Sequence, residues 1–310
     1  MNKELVNLNP LLCDPEAGVC EVRGSSGEPT KQESTSSEKP IKVVYFTDPI
    51  CSSCWGIEPQ LRKLKLEYGD SMEMDYRMGG LLPDWGYNSG GISKPSDVAQ
   101  HWDEVSEHYG MPIDGDVWLE DPLSSSYPPS IAFKAAQMQD EDKAVLFLRE
   151  IREMVFLKKM NITKWEHLSA AAKAVGLDVA RLKADYEGEA KAAFEEDLAL
   201  ARSYGVRGFP TMFFLDGSGN KEKVSGTKPY AFYEIAILKL NEQAQKGEYG
   251  KTWESLFSHY RTLTVREFSE LSGMPPQEAE KHLDELVQSG QLGKLTTKNG
   301  PVWELRSTNR

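Results

Sequence analysis

The chain has 310 residues, of which 39% are apolar and 27% charged, proportions of a globular protein with enough length for about two domains. The formal net charge of -12 repels a phosphate backbone, so nucleic acid is not an expected partner of the chain as a whole. No stretch approaches the uncharged apolar length that spans a bilayer, and residues 1–22 lack the basic start and apolar run of a secretory leader, so the expected location is the cytoplasm, with no membrane contact.

Residues 1–40 are expected to be largely disordered, because 24–40 is rich in Ser, Glu, Lys, Gly and Pro and has almost no large apolar side chains to offset its ordering entropy. The exception is 9–22, which holds Cys13 and Cys20 and has the means to dock locally. Ordered structure is expected from Ile41, where Ile41-Lys42-Val43-Val44-Tyr45-Phe46 reads as a buried strand and Asp48-Pro49 as a turn. A helix is predicted over 55–68, with Ile57, Leu61, Leu64 and Tyr68 on one face. A second strand follows over 72–78, where apolar and charged residues alternate. The motif Cys51-Ser52-Ser53-Cys54 therefore falls at the first strand-to-helix turn of a β-α-β unit.

Residues 79–95 read as loop. Helices are predicted over 96–109, 130–139, 141–160, 164–175, 178–186 and 188–204, then strands over 211–215 and 221–225 around the turn Asp216-Gly217-Ser218-Gly219, then a closing helix over 230–241. Residues 251–310 read as a separate small domain. Thr264 and Glu267 form a capping box for a helix over 264–273, a second helix covers 276–289, and 292–305 resembles a hairpin around Lys298-Asn299-Gly300. Helix, turn, helix and hairpin make a winged-helix-like pattern. It carries eight basic and eight acidic residues, and the helix that would face DNA sets Lys281 against Glu278, Glu280, Asp284 and Glu285, so a protein partner is expected there and DNA is not. The boundaries are thus a tail 1–40, a domain 41–250 with a helical insert about 95–204, and a domain 251–310.

The four cysteines form two close pairs, Cys13/Cys20 and Cys51/Cys54. In a reducing compartment such pairs point to redox chemistry or metal binding. A structural zinc site needs four ligands, and the six-residue spacer between Cys13 and Cys20 is wide for one half of it, so no metal is expected. At a helix N-terminus, free N–H groups and the helix dipole stabilise a thiolate, which makes Cys51 the expected nucleophile with a depressed pKa. Cys54, one turn on, would resolve the mixed disulfide. The Ser52 and Ser53 hydroxyls and the nearby Asp48 are expected to tune the pair. Trp55 and Phe209 are read as lining a substrate groove as well as packing. Trp85, Trp102, Trp118 and Tyr127 are read as core rather than pocket, and His101 and His108, seven apart on one helix face, as surface residues. The five histidines form no metal spacing.

Asp48-Pro49-x-Cys51-x-x-Cys54-Trp55, Pro59 inside the helix, the helical insert and Phe209-Pro210-Thr211 resemble the DsbA-type branch of the thioredoxin superfamily. The resemblance implies an α/β thioredoxin-like fold with a long helical insertion, carrying the small C-terminal winged-helix-like domain. It also implies a cis Pro210 facing the cysteine pair and a backbone at Phe209 that pairs with substrate. Within that branch, Cys54-Trp55-x-x-Glu58-Pro59, Leu64-x-x-Glu67-Tyr68-Gly69, Trp118-Leu119-Glu120-x-Pro122-x-Ser124-Ser125-x-Tyr127, Ile131-Ala132-x-Lys134-Ala135-Ala136 and the tail domain resemble cytoplasmic YjbH/SpxH proteins, which include adaptors that present a redox-responsive transcription regulator to the ClpXP protease. One departure stands out. Six residues before its first cysteine the thioredoxin pattern has a buried acid, and here Tyr45 occupies that place, leaving Asp48, Glu58 or water to carry protons to Cys54.

The leading expectation is a thiol–disulfide oxidoreductase acting through Cys51 and Cys54 on protein or small-thiol substrates, without a cofactor. The alternative is a protein-binding adaptor of the YjbH/SpxH type. A kappa-type glutathione-linked isomerase or transferase is disfavoured, because one hydroxyl or thiol would suffice there. Cys13 and Cys20 stand equally as an inert tail pair or as an auxiliary redox pair that exchanges with the active site.

Overall fold

The computed structural model describes residues 13–14, 18–21, 39–87 and 94–306, with the side chains of Cys13, Asp14 and Glu21 outside the description. The central sheet has four strands in the order β4-β3-β6-β7. β3 (Ile41–Thr47) runs parallel to β4 (Met72–Met78) and antiparallel to β6 (Thr211–Asp216), which pairs antiparallel with β7 (Lys221–Ser225). As an inner strand β3 is buried at every position except the half-buried Lys42, which explains its near-continuous apolar run.

The helix expected over 55–68 is two helices, α1 (Ser52–Gly56) and α2 (Glu58–Tyr68). Pro59 causes the break. It has no N–H to donate to the turn before it, and its ring would collide with that turn, so it sits in the first turn of a new helix, where the missing donor costs nothing. The two motif cysteines therefore ride on a short turn of their own.

Among the described residues, seven α-helices lie between β4 and the short strand β5 (Gly208–Phe209): α3 (Pro95–Tyr109), α4 (Val117–Glu120), α5 (Tyr127–Gln137), α6 (Glu141–Leu157), α7 (Trp165–Ala174), α8 (Val179–Glu187) and α9 (Ala190–Ser203). α4 had no expectation behind it. α5 begins earlier than predicted, because Pro128 and Pro129 fall in its first turn. Trp102 is fully enclosed, 5.1 Å from Trp118 and 4.8 Å from Phe156 between ring centres, so these rings are core. His101 corrects the surface reading: it is buried, and desolvation pulls its pKa down, whereas His108 is exposed. Among the described residues no helix is long and apolar enough to cross a membrane.

After α10 (Tyr230–Leu240) the C-terminal unit builds a small core of its own around Phe257, Phe268, Leu283 and Trp303. It contains α11 (Trp253–His259), α12 (Val265–Ser272) and α13 (Pro276–Gln288). Its sheet, in the order β8-β10-β9, joins the expected hairpin of β9 (Leu292–Thr297) and β10 (Gly300–Leu305) to the unexpected β8 (Thr262–Thr264).

This unit is fastened to the body by buried charge. Glu267, fully buried, closes the Thr264 capping box and accepts from the Arg149 guanidinium through both oxygens at 2.7 and 3.2 Å. It also lies 3.3 Å from the Arg62 Nε, and Arg62 donates to the Thr262 carbonyl at 2.7 Å. At the hairpin tip Lys298 is bound to Asp103 at 2.6 Å and Asp116 at 2.8 Å.

Burial by itself pushes the Glu267 carboxyl up, but Arg149 and Arg62 outweigh it and hold its pKa below the ordinary value. Its contribution is present above the unfolded pKa and is lost as pH falls through the folded one. Glu267→Ala leaves two buried guanidiniums short of a partner and is expected to cost roughly 3–5 kcal/mol in denaturant unfolding. Glu267→Gln is expected to remove part of the acid-dependent loss of stability seen in the parent. An unchanged midpoint in both variants contradicts a buried ionic clamp.

Candidate thiol site

β3 ends at Thr47, and the turn Asp48-Pro49-Ile50 delivers Cys51 to the N-cap of α1. The Cys51 N–H donates to the Asp48 carbonyl at 3.2 Å, and the Cys54 N–H donates to the Cys51 Sγ at 3.1 Å. Both sulfurs are free thiols and both residues are fully buried. Asp48 organises this turn. Its Oδ1 accepts from the Ile50 N–H at 3.0 Å, and its Oδ2 accepts from the Leu81 N–H and the Ser126 hydroxyl, each at 2.8 Å. Burial pushes its pKa up to about 6. Its acceptors are thus committed to the turn, to the loop after β4 and to the start of α5.

Behind Cys54 lies a feature that the sequence reading missed. Arg152 on α6 is 1% exposed. It donates to Glu58 Oε1 and to the Thr47 hydroxyl, both at 2.6 Å, and to the Asp48 carbonyl at 3.2 Å. Glu58, one of the expected proton carriers, is therefore paired with Arg152. The Thr47 hydroxyl in turn donates to the Tyr45 oxygen at 3.2 Å. The only sequence signal was an arginine inside the apolar run Ile151-Arg152-Glu153-Met154-Val155-Phe156.

This cluster reverses the expected order of thiol acidity. Burial pushes the Cys51 thiol well up, and the neighbouring Cys54 adds to that. Burial also raises Cys54, but a hydrogen bond with Cys51, the Arg152 charge and the hydroxyls of Thr47 and Tyr45 outweigh it and bring Cys54 down. Of the two sulfurs, Cys54 is the one that the Arg152 charge favours as thiolate.

Trp55 corrects the groove assignment. It is fully enclosed, stacks on Phe156 with ring centres 5.5 Å apart, lies under the Arg149 guanidinium and donates from Nε1 to the Pro112 carbonyl at 3.0 Å. Of the two serines, both buried, Ser53 shares a 2.9 Å hydrogen bond with the Tyr109 hydroxyl.

The Phe209–Pro210 peptide bond is cis. The Phe209 ring is buried against Gly79, whose Cα face it covers so closely that a Cβ there would overlap the ring. The backbone of β5 is what reaches a neighbour. The tail strand β2 (Val19–Glu21) pairs antiparallel with it, Cys20 opposite Phe209 and Glu21 opposite Gly208. β1 (Cys13–Asp14) pairs with the other edge of β2, Cys13 opposite Cys20. Cys20 is engaged in a disulfide, and its Sγ lies 3.4 Å from the Cys51 Sγ. The remainder of the expected disordered tail lies outside the described residues.

The thioredoxin family model matches residues 45–235. In fold the chain is similar to a putative protein disulfide isomerase from Nitrosomonas europaea, with a TM-score of 0.56 at 21% identity over 66% of this chain and 97% of that one. It is also similar to a probable DsbA oxidoreductase from Streptomyces coelicolor, with a TM-score of 0.52 at 15% identity over 66% of this chain and 91% of that one. The architecture is thus α/β, thioredoxin-like and DsbA-like. The ClpXP adapter protein SpxH of Halalkalibacterium halodurans is 34% identical over 301 residues, covering 95% of this chain and 97% of the relative. The chain belongs to the thioredoxin family and, within it, to the SpxH proteins.

Arg152→Met removes the cation beside Cys54. The pH profile of Cys54 alkylation, read by peptide mapping of the reduced protein, is expected to move to higher pH. Arg152→Lys should restore part of that movement, because the charge returns without the forked bonds to Glu58 and Thr47. An unmoved profile in Arg152→Met contradicts the assignment of Arg152 as the group that positions charge at Cys54.

Proposed function

We propose that this chain is a cytoplasmic, protein-binding adaptor of the SpxH type, which holds a partner protein for the ClpXP protease and retains Cys51 and Cys54 as a thiol–disulfide centre. The observation that carries this reading is one of extent. The fold of the Nitrosomonas europaea putative protein disulfide isomerase accounts for 66% of the chain, while the SpxH relative accounts for 95%. The part beyond the disulfide-exchange fold is therefore shared with an adapter.

The geometry supports the same reading. The C-terminal unit is clamped to the body through Glu267, so the two present one continuous surface to a partner. The hairpin tip has its Lys298 neutralised by Asp103 and Asp116, and α13 exposes Glu278, Glu280 and Glu285, a face that repels phosphate and suits a protein. At the thiols, the edge that a substrate strand would use is already paired with β2.

Disulfide exchange is the second reading, favoured by the Cys54 N–H bond to the Cys51 sulfur and by the Arg152 charge beside Cys54. In that chemistry a Cys51 thiolate attacks a substrate disulfide, and Cys54 then attacks Cys51 to release the reduced substrate. The two cysteines leave the glutathione-linked isomerase without support, since such a site needs one nucleophile or hydroxyl.

Capture from a cell extract separates the readings. Adaptor binding rests on surface complementarity, so the Cys51→Ser/Cys54→Ser double variant is expected to retain the same partner protein with an affinity within about 1.4 kcal/mol, a factor of about ten, of the parent. Failure of the parent to hold any partner, combined with brisk insulin reduction abolished by Cys51→Ser, contradicts the adaptor reading and establishes the oxidoreductase.

A further inference from the structure

We propose that the N-terminal strand β2 is a tethered internal substrate of the thiol centre: it fills the edge beside Pro210, and the Cys20 disulfide exchanges directly with Cys51. This rests on the thiol–disulfide reading of Cys51 and Cys54 and is independent of the adaptor role.

Three observations meet here. The first is register. Cys20 stands opposite Phe209, the residue before the cis-proline, in a main-chain ladder of the kind by which an extended peptide adds to a sheet edge. The second is shape. Gly18, at φ +65°, gives up its carbonyl to the Thr227 N–H at 2.6 Å, and a Cβ on Gly18 would overlap the Thr227 side chain. Across the ladder, a Cβ on Gly208 would overlap Val19 and the Cys20 carbonyl. Both surfaces are bare where they meet, and at Gly18 the backbone conformation itself favours glycine. The third is reach. The Cys20 and Cys51 sulfurs are 3.4 Å apart, both residues fully buried, with the Cys51 sulfur held by the Cys54 N–H.

The exchange balances without an outside oxidant or reductant. The Cys51 thiol gives up its proton. The Cys51 thiolate attacks the Cys20 Sγ, a Cys51–Cys20 bond forms, and the sulfur previously bonded to Cys20 leaves as a thiolate. That sulfur belongs to neither Cys51 nor Cys54, which are free thiols. The departing thiolate takes up the proton that Cys51 gave, and Cys54 attacks the Cys51 Sγ, forming Cys51–Cys54 and passing its own proton to the released Cys20 sulfur. One disulfide has moved from the tail to the motif, and two thiols have moved the other way. While β2 is seated, another protein's strand reaches this edge only by displacing it.

The test uses the full chain carrying Cys54→Ser, which cannot complete the second step. Non-reducing peptide mapping after mild oxidation is expected to show a Cys20–Cys51 disulfide as the main adduct. Oxidised glutathione, added in parallel, reports whether Cys51 exchanges at all. A Cys51–glutathione adduct without any Cys20–Cys51 adduct overturns the internal substrate and leaves the thiol centre standing; absence of both adducts overturns both. Gly18→Val supplies a second readout, because it lies in the tail and leaves the body's core untouched. It should unseat β2, raise the rate of Cys51 alkylation by on the order of tenfold, and reduce the Cys20–Cys51 adduct. Equal alkylation rates in Gly18→Val and the parent overturn the proposal that β2 covers the site.

Discussion

One row of charged side chains on α6 joins the parts of this protein. Arg152 reaches the end of β3, the turn before Cys51 and Glu58 at the start of α2. One turn away, Arg149 reaches Glu267 of the C-terminal unit, and Glu153 accepts from the Thr262 hydroxyl there. A buried arginine is tolerated only where its donors are met by carboxylates and carbonyls, so each of these residues constrains the position of its partners. The thiol pair, the helix break at Pro59 and the docking of residues 251–305 are consequently held from a single helix of the insert. The same row explains the electrostatics of the site: the Arg152 guanidinium that holds the end of β3 is also the cation whose charge lowers the Cys54 pKa.

The parts of the fold legible in the sequence are those governed by local pattern. The apolar run of β3, the alternation in β4, the Thr264/Glu267 capping box and the Asn299-Gly300 turn each encode their own element within a few residues. The parts that were not legible depend on contacts distant in sequence. A three-residue strand such as β8 has no period to detect and exists because β10 offers it an edge. Arg152 looks like a helix-surface arginine until Glu58, 94 positions earlier, is seen against it. Trp55 was misread because the break at Ile57 separates α1 from α2, so its direction could not be taken from the apolar face of one continuous helix. The acidity order of the cysteines was misread for a related reason. Helix position is a local property, while desolvation and the Arg152 charge come from the assembled site.

The tail shows both sides of this limit. Cys13 and Cys20 marked the segment able to dock, and the strands that hold them reach β5. Nothing in the composition specified where. That is determined by a distant edge, where Phe209 lies opposite Cys20, 189 positions earlier, and Gly208 opposite Glu21, and by the Thr227 amide. Seating β2 there brings the Cys20 sulfur to 3.4 Å from the buried Cys51 sulfur.

The adaptor role is tested most directly by reconstituting degradation. Purified ClpXP and the protein captured by this chain are mixed, and the half-life of that protein is measured with the chain absent, present, and present as the Cys51→Ser/Cys54→Ser variant. The account predicts a markedly shorter half-life with either form of the chain. A half-life unaffected by the chain, with the partner demonstrably bound to it, would contradict the account.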